Sequence, residues 1–359
     1  MRRPFGVPED KSGGRGRENT GWRILRNSED CGTEKITEQR RLWDGDMTER
    51  KVRITVAEGG MTVEQYLKQN LGFSKRQVSS LKFRPDGVCV NGGRQRVNRL
   101  LQAGDCLELL LESRKAGAAD GAGQTLYRGP ELTVLYEDAD LLAVEKPAGL
   151  VCHHAHGHYG DTLADWAASR AAGRGERWNV RIVGRLDRDT SGVVVIARNA
   201  ETAALLARQR ERGEMKKTYL ALVEGRPESG CGQVELPIRK DRESLVKMTV
   251  APAEEKDGVS AVWLPARTWY QVLETRSGCS LVRLRLEHGR THQIRVHMAA
   301  IGHPLCGDPL YGSGSDRKGD LAKLHAWKTE LLQPFTGERL SFTAELPDWC
   351  AGFSALSCI

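Results

Sequence analysis

The sequence predicts an α+β protein in two parts: a small mixed unit over residues 47–112, and a larger domain over residues 129–349 built on a mixed, mainly antiparallel sheet. Three observations carry the prediction. Strand-length apolar stretches come in runs with few helical segments between them, which is the pattern of an α+β sheet and not of a strictly alternating parallel one. The Gly/Ala-rich run from Ala116 to Gly123 has almost no large apolar residue and separates the two patterned regions as a linker, bounded at 113–128. Two helix starts in the first region carry matched capping residues.

Length and composition agree. The chain has 359 residues, 39% hydrophobic and 28% charged, and at roughly 100–200 residues per domain it has room for about two cores. Collagen-like, mucin-like and wholly disordered classes are excluded. No apolar run approaches the roughly 20 residues that cross a bilayer, and Arg2 and Arg3 have no apolar stretch behind them. The expectation is a soluble cytoplasmic protein with no membrane association. Nine cysteines, odd in number and without a Cys-x-x-Cys pair, read as reduced thiols rather than a disulfide framework or a zinc site. With 54 Lys and Arg against 47 Asp and Glu the formal charge is +7, which favours an anionic partner.

Residues 1–46 hold ten basic and nine acidic residues with no sustained apolar period, and are expected to be a disordered extension. Met47 stands just before the first patterned segment, Arg53-Ile54-Thr55-Val56, and is expected to be the natural start. A strand follows, then a helix from Thr62, a helix from Ser74, and short strands at Val88–Val90 and Cys106–Leu111. In Thr62-Val63-Glu64-Gln65 and Ser74-Lys75-Arg76-Gln77, a hydroxyl and a Gln three residues on each satisfy an orphan donor beside the other. Lys75, Arg76, Lys82 and Arg84 cluster on the second helix, and Arg94, Arg96 and Arg99 follow the Asn91-Gly92-Gly93 turn. Taken alone, a basic helix is most often a solvated face.

In the larger domain Leu132–Tyr136 and Leu141–Val144 pair around the turn Glu137-Asp138-Ala139-Asp140. Helices are expected at Thr162–Ala172 and Glu201–Arg212. Strands are expected at Gly192–Arg198, Lys217–Glu224, Ala261–Leu264, Trp269–Glu274, Leu281–Glu287 and Leu340–Leu346, with residues 350–359 as a tail.

Four segments there could carry chemistry. The run Gly184-Arg185-Leu186-Asp187-Arg188-Asp189-Thr190-Ser191-Gly192 sets two carboxylates at the entrance to an apolar strand. A carboxylate so placed can act as nucleophile, base or metal ligand, or can merely cap backbone donors in a turn. Glu287 to His297 gathers two arginines and three histidines, but the spacing does not match helical zinc sites and the arginines repel a cation. If a helix starts near Thr291, Arg295 lies one turn in and can point toward an anion. His153, His154, His156 and His158 crowd a loop too short to converge easily on one ion, and read as a polar substrate-facing or solvent loop. Lys217-Thr218-Tyr219 lies in a strand, where the Tyr by itself reads as core filling.

Longer patterns add resemblances. Thr62-Val63-x-x-Tyr66-Leu67, Ser74-Lys75-Arg76-x-x-x-x-Leu81, Val88-x-Val90-Asn91-Gly92 and Ala103-Gly104-Asp105 resemble the module named after the small-subunit ribosomal protein S-four. That resemblance sets Lys75, Arg76, Lys82 and Arg84 against structured RNA; an extra Phe83-Arg84-Pro85 precedes the usual glycine turn. From Leu132 to Trp349 the chain resembles the RluA-type pseudouridine synthases. Glu145-Lys146-Pro147-Ala148-Gly149-Leu150, Arg185-Leu186-Asp187-x-x-Thr190-Ser191-Gly192, Lys217-x-Tyr219-x-Ala221 and Gly289 to His297 follow in the family's order. Gly302-His303-Pro304-Leu305-x-Gly307-Asp308-x-x-Tyr311-Gly312, Leu324-His325-Ala326 and Pro334-Phe335-Thr336-Gly337 complete the set. Gly184 departs from the His that many relatives carry before Arg-Leu-Asp.

The resemblance implies a pseudouridine synthase fold and an RNA uridine isomerase that uses no cofactor and no metal. Its partner is expected to be structured RNA, specifically large-subunit ribosomal RNA, bound by a monomer with no obligate protein partner. It implies that Asp187 is the catalytic aspartate, Tyr219 the active-site tyrosine, and Arg295 the arginine that pairs with the aspartate and keeps it ionised. Arg185, Arg290, His292 and Lys217 become substrate contacts. Two other readings stay open: a catalytically silent RNA-binding protein, and a metal-dependent transferase built on the Asp187-x-Asp189 spacing.

Overall fold

Both capping boxes close as their spacing dictates. In the computed structural model, Thr62 and Ser74 accept from the backbone N–H of Gln65 and Gln77, and their own N–H groups donate to those Gln side chains. They start α1 (Val63–Gln69) and α2 (Lys75–Phe83). The structure describes residues 36–37, 49–112, 127–154, 157–176, 180–244, 246–251, 262–312 and 321–358.

Strands β1 (Ile36–Thr37), β2 (Glu49–Thr55), β3 (Val88–Val90), β4 (Gly93–Arg94) and β5 (Cys106–Glu112) form one sheet in the order β1-β2-β5-β3-β4. Ile36 and Thr37 pair with Ile54 and Arg53. The extension expected to be disordered thus supplies two residues of strand, because the open edge of β2 offers backbone partners. The rest of residues 1–46, Met47, and residues 113–126 of the linker lie outside the described residues. Alternate residues of β2 and β5, among them Val52, Ile54, Leu107 and Leu109, bury against Tyr66, Leu67 and Leu81 of the two helices.

The larger domain runs β6 (Val134–Glu137), β7 (Leu141–Lys146), α3 (Leu163–Gly173), β8 (Arg181–Val183), β9 (Ser191–Ala197), α4 (Ala200–Glu211) and β10 (Lys216–Glu224). It continues with β11 (Cys231–Glu235), β12 (Ile238–Lys240), β13 (Met248–Val250), β14 (Arg267–Arg276) and β15 (Cys279–Leu286). It closes with α5 (Gln293–Ala300), β16 (Leu324–Leu332) and β17 (Arg339–Thr343). Ten of these strands form one sheet, β11-β14-β15-β10-β16-β9-β7-β6, with β17 on β16 and β8 on β9, while β12 and β13 pair separately. The sheet is mixed: β16 runs parallel to β9 at His325↔Ser191 and Ala326↔Gly192, and its other pairs among the described residues are antiparallel. Gly192 stands at the crossing with φ of +107°, and a Cβ there would meet Ala326 O at 2.3 Å. A side chain at 192 would push the two strands apart.

Three expectations change. Residues 262–264 form no strand; Leu264 makes a single bridge to Ile238, and Ala261 lies outside the described residues. β16, unexpected as a strand, is central because Leu324, His325 and Ala326 bury even though Lys328 and Glu330 interrupt its apolar pattern. The terminal tail packs: 3-10 turns at Asp348–Cys350 and Ser354–Cys358 bring Cys350, Phe353 and Leu356 onto Leu220 and Leu281.

The two predicted parts also share a core. Leu205 of α4 and the fully buried Phe335 belong to the small unit's apolar cluster, whereas the next residue, Leu206, faces the core beneath β7 and β9. Arg208 Nη1 donates to Lys68 O at 3.4 Å across the same seam. The described residues all belong to one compact unit. Among the described residues no helix is long and apolar enough to cross a membrane.

Candidate active site

The turn between β8 and β9 carries Asp187, and its backbone is held from several sides. Lys146, fully buried at the end of β7, donates to the carbonyls of Pro147 at 2.8 Å, Leu150 at 2.7 Å and Arg188 at 3.0 Å. Gly149 N–H donates to the same Arg188 carbonyl at 2.8 Å. Cys152 Sγ donates to Leu186 O at 3.3 Å, and Ser191 Oγ lies 2.8 Å from His325 Nδ1. The main chain on both sides of Asp187 is therefore fixed, a precondition for holding a reactive group to a fraction of an ångström. Burial brings the Lys146 ammonium down to about 8, against the opposing charges of Cys152, Asp187 and Asp189. Burial brings the His325 ring down to about 4, so it is neutral at physiological pH.

Asp187, Tyr219, Arg295, Arg185 and Arg290 line one cleft. Tyr219 projects from β10 and is 7% exposed. Burial, reinforced by the Asp187 charge, pushes its hydroxyl well above the usual phenol range, so it remains protonated and able to donate. Arg295, in the first turn of α5, is 2% exposed.

The partner expected for Arg295 is corrected. Its Nε and Nη2 donate to Asp308 at 2.7 and 2.6 Å, not to Asp187. The Asp308 carboxylate also accepts the N–H groups of Leu310 and Tyr311, at 2.9 and 3.1 Å, so the turn it closes presents a preorganised acceptor to the helix. Burial by itself would lower the Arg295 pKa; the hydrogen bonds and charge of Asp308, with the charges of Asp187 and Asp189, carry it upward. Asp187 and Arg295 thus interact through charge while Asp187 stays at the cleft surface. Asp189 is 5% exposed and bound by Arg188 Nε at 2.8 Å, so the Asp-x-Asp pair does not converge on one point. Among the described residues no group of three or more His, Cys, Asp or Glu side chains is placed to hold a metal ion.

The other predicted contacts divide. Arg185 Nη2 donates to Thr291 Oγ1 at 2.6 Å, linking the Asp187 turn to the start of α5, and Arg290 Nε donates to Pro265 O at 3.3 Å. Lys217 and His292 stand behind the wall rather than on it. Lys217 Nζ donates to Gly184 O at 2.9 Å, and a Cβ on Gly184 would lie 3.4 Å from that Nζ. A Cβ at 184 would thus rest in ordinary contact with the lysine, whose ammonium burial lowers to about 8. His292 adopts φ of +53° at the N-cap of α5 and turns its Nδ1 to Tyr311 OH at 3.0 Å, ring edge to ring face. In the small unit Lys75, Arg76 and Lys82 are exposed, but Arg84 is drawn inward, donating to Leu110 O at 2.6 Å and Ser80 Oγ at 3.2 Å.

Lys146, Asp308 and Tyr311 support the cleft through their hydrogen bonds, and sequence reasoning assigned them no part. Each lies inside a quoted motif, but its partners lie elsewhere in the chain. Tyr311 accepts from Met248 N–H at 2.7 Å and stacks its ring 5.3 Å from the Arg295 guanidinium, tying the β12–β13 hairpin to the cleft.

The RNA pseudouridylate synthase family model matches residues 140–300. The chain is 35% identical over 288 residues to the Bacillus subtilis protein "Uncharacterized RNA pseudouridine synthase YjbO", covering 80% of this chain and 96% of that one. It is 34% identical over 310 residues to "Ribosomal large subunit pseudouridine synthase D" of Nitrosomonas europaea, covering 84% and 86%. Among solved structures, "Human RNA Pseudouridylate Synthase Domain Containing 4" aligns with a TM-score of 0.50 at 24% identity, over 60% of this chain and 89% of that one, a likeness of fold.

Proposed function

The chain belongs to the RNA pseudouridine synthases of RluA type, and from that premise we propose that it converts specific uridines of large-subunit ribosomal RNA to pseudouridine with Asp187 as the catalytic residue. The substrate follows from the names of relatives such as the Nitrosomonas europaea protein. The observation that carries the residue assignment is that Asp187 and Tyr219 share one cleft, with the buried Arg295 beside them.

The reaction breaks the bond from ribose C1′ to uracil N1, turns the base, and joins C5 to C1′; the hydrogen on C5 is lost and N1 gains a proton, so the composition is unchanged. Whether the carboxylate attacks covalently or draws a proton from the sugar, the ionised form must act. Arg295 stands beside Asp187, and its fork to Asp308 keeps the guanidinium from neutralising Asp187 by direct contact. Tyr219 offers its ring to the uracil and a protonated hydroxyl to a developing negative charge. Arg185 and Arg290 at the rim meet phosphate or fill the stack that the uridine leaves. Lys217 and His292 act from behind, by shaping the Asp187 turn and the start of α5.

Residues 47–112 serve as an S-four-like RNA-binding module, with Lys75, Arg76 and Lys82 as its phosphate contacts. The reading includes a cytoplasmic monomer without an obligate protein partner, which light scattering of the purified protein tests. The experiment for the function is pseudouridine mapping of total RNA with and without the gene, followed by rescue with wild type and Asp187→Asn. Sites lost on deletion and restored by wild type alone are the expected outcome. Restoration by the Asp187→Asn copy would remove Asp187 from its role, and an unchanged map would remove the ribosomal substrate.

A further inference from the structure

The histidine-rich segment after Cys152 is unused by the chemistry above, yet one buried group organises it. Asp165, in the first turn of α3 and 5% exposed, accepts four hydrogen bonds: from Gly160 N–H at 3.0 Å, Thr162 N–H at 3.1 Å, Thr162 Oγ1 at 2.7 Å and His154 Nε2 at 2.7 Å. The Thr162 bonds form the capping box of α3. The bond to His154 serves no helix; it anchors an imidazole that is about half exposed. Against that fixed ring lies Tyr159, 72% exposed, with ring centroids 5.8 Å apart and planes tilted by 38°. His158 is held separately by Asp161 at 2.8 Å, and His156 lies outside the described residues.

The residues just before this pair are tied to the cleft. Cys152, two residues before His154, touches the carbonyl of Leu186 beside Asp187. His153 lies within the field of Arg185, which lines the cleft. A buried carboxylate that holds the His154 ring in place beside the exposed Tyr159 ring preorganises an aromatic surface.

We propose that His154 and Tyr159 form a stacking platform for one unpaired nucleobase next to the target uridine, a specificity-determining surface on the rim of the cleft. The inference rests on the reading of the chain as an RNA uridine isomerase. A uridine that leaves its stack exposes the faces of its neighbours, and an aromatic ring replaces the lost contact at a fixed distance from Asp187. Stacking of this kind changes affinity by about 5- to 150-fold per base and accepts any base with an open face. It selects for an unpaired flanking nucleotide rather than for a sequence.

The test uses a large-subunit ribosomal RNA transcript labelled with tritium at uridine C5, because forming the C5–C1′ bond releases that label into water. Filter retention of the same transcript gives affinity. Tyr159→Ala should weaken binding and raise KM about tenfold, leaving kcat and the slope of log affinity against log salt unchanged. Tyr159→Trp should restore both, since the ring and not the hydroxyl is required. Wild-type affinity in Tyr159→Ala, failure of Tyr159→Trp to recover, or a salt slope reduced by about one, the mark of a lost phosphate contact, overturns the platform. If the wild-type protein releases no tritium, the isomerase reading on this RNA fails instead, and filter retention still decides the platform.

Discussion

Arg295 grips Asp308 through Nε and Nη2, at 2.7 and 2.6 Å, and leaves Asp187 at the surface of the cleft. The fork is buried, with side-chain exposures of 3% and 0%, so neither charge has water to fall back on. Removing one partner of a buried pair typically costs about 3–5 kcal/mol. Asp308→Asn should therefore lower the melting temperature clearly and reduce kcat more than it raises KM, because the released guanidinium is drawn to Asp187 and neutralises it. Thermal melts with tritium-release kinetics check this. A variant that melts and turns over like wild type would mean that the fork does not govern the site.

Lys146 supplies a pH dependence whose sign is opposite to that of a salt-bridged lysine. Its native pKa is about 8 against an ordinary 10.5, because burial disfavours the charge. Below about pH 8 both native and unfolded chains carry the proton, and the full penalty of burying it is present. Between about 8 and 10.5 the unfolded chain binds more protons than the native one, so stability rises with pH, by up to about 3 kcal/mol from this group. Lys217, lowered likewise, adds in the same window. Urea unfolding at pH 7.5 and pH 10 should show a smaller rise in Lys146→Met than in wild type. Equal rises would show that the buried ammonium does not carry this charge penalty.

What could be read from the chain alone follows from how local each signal is. The capping boxes at Thr62 and Ser74 close within three residues, the alternation in β2 and β5 is written in their own side chains, and β10 shows itself as an unbroken apolar run from Tyr219 to Val223. Asp187 and Tyr219 were legible through their motifs, and they do meet in one cleft. The partner of Arg295 was not, because Asp308 lies 13 residues on, in a turn whose aim is set by the fold. β16 was hidden by Lys328 and Glu330, whose aliphatic stems permit a central strand that a hydrophobicity pattern misses. The shared core was hidden by the linker, which suggested separation where Leu205 and Phe335 join the two parts.

The crossing of β9 and β16 makes Gly192 irreplaceable. A Cβ at 192 would lie 2.3 Å from Ala326 O and 2.7 Å from Ala326 C, both backbone atoms that cannot swing aside, and φ of +107° is strained for any other residue. Gly192→Ala should destabilise by more than about 2 kcal/mol and displace Ser191 from His325. Its melting temperature and turnover should fall together. Gly213→Ala is the comparison: φ is +70° but nothing lies within 4 Å of its Cβ, so it meets backbone strain alone and should lose less. Equal losses would assign the effect to φ rather than to the strand contact.

Phe335 is the residue through which the small unit and the catalytic domain should stabilise one another. It has no exposure, and it lies in the small unit's cluster although its own chain neighbours belong to the turn between β16 and β17. Truncating a buried Phe to Ala costs about 3–5 kcal/mol. In Phe335→Ala that loss should be felt first in α1 and β2, as faster amide hydrogen exchange there, with a raised KM for RNA and an unchanged kcat. Phe342→Ala, also buried at 5% exposure but in the cluster beneath β7 and β9, serves as the control. It should speed exchange in β7 and β17 and leave α1 protected. If both variants loosen α1 alike, the seam is not a separate link and the two parts unfold as one cooperative body.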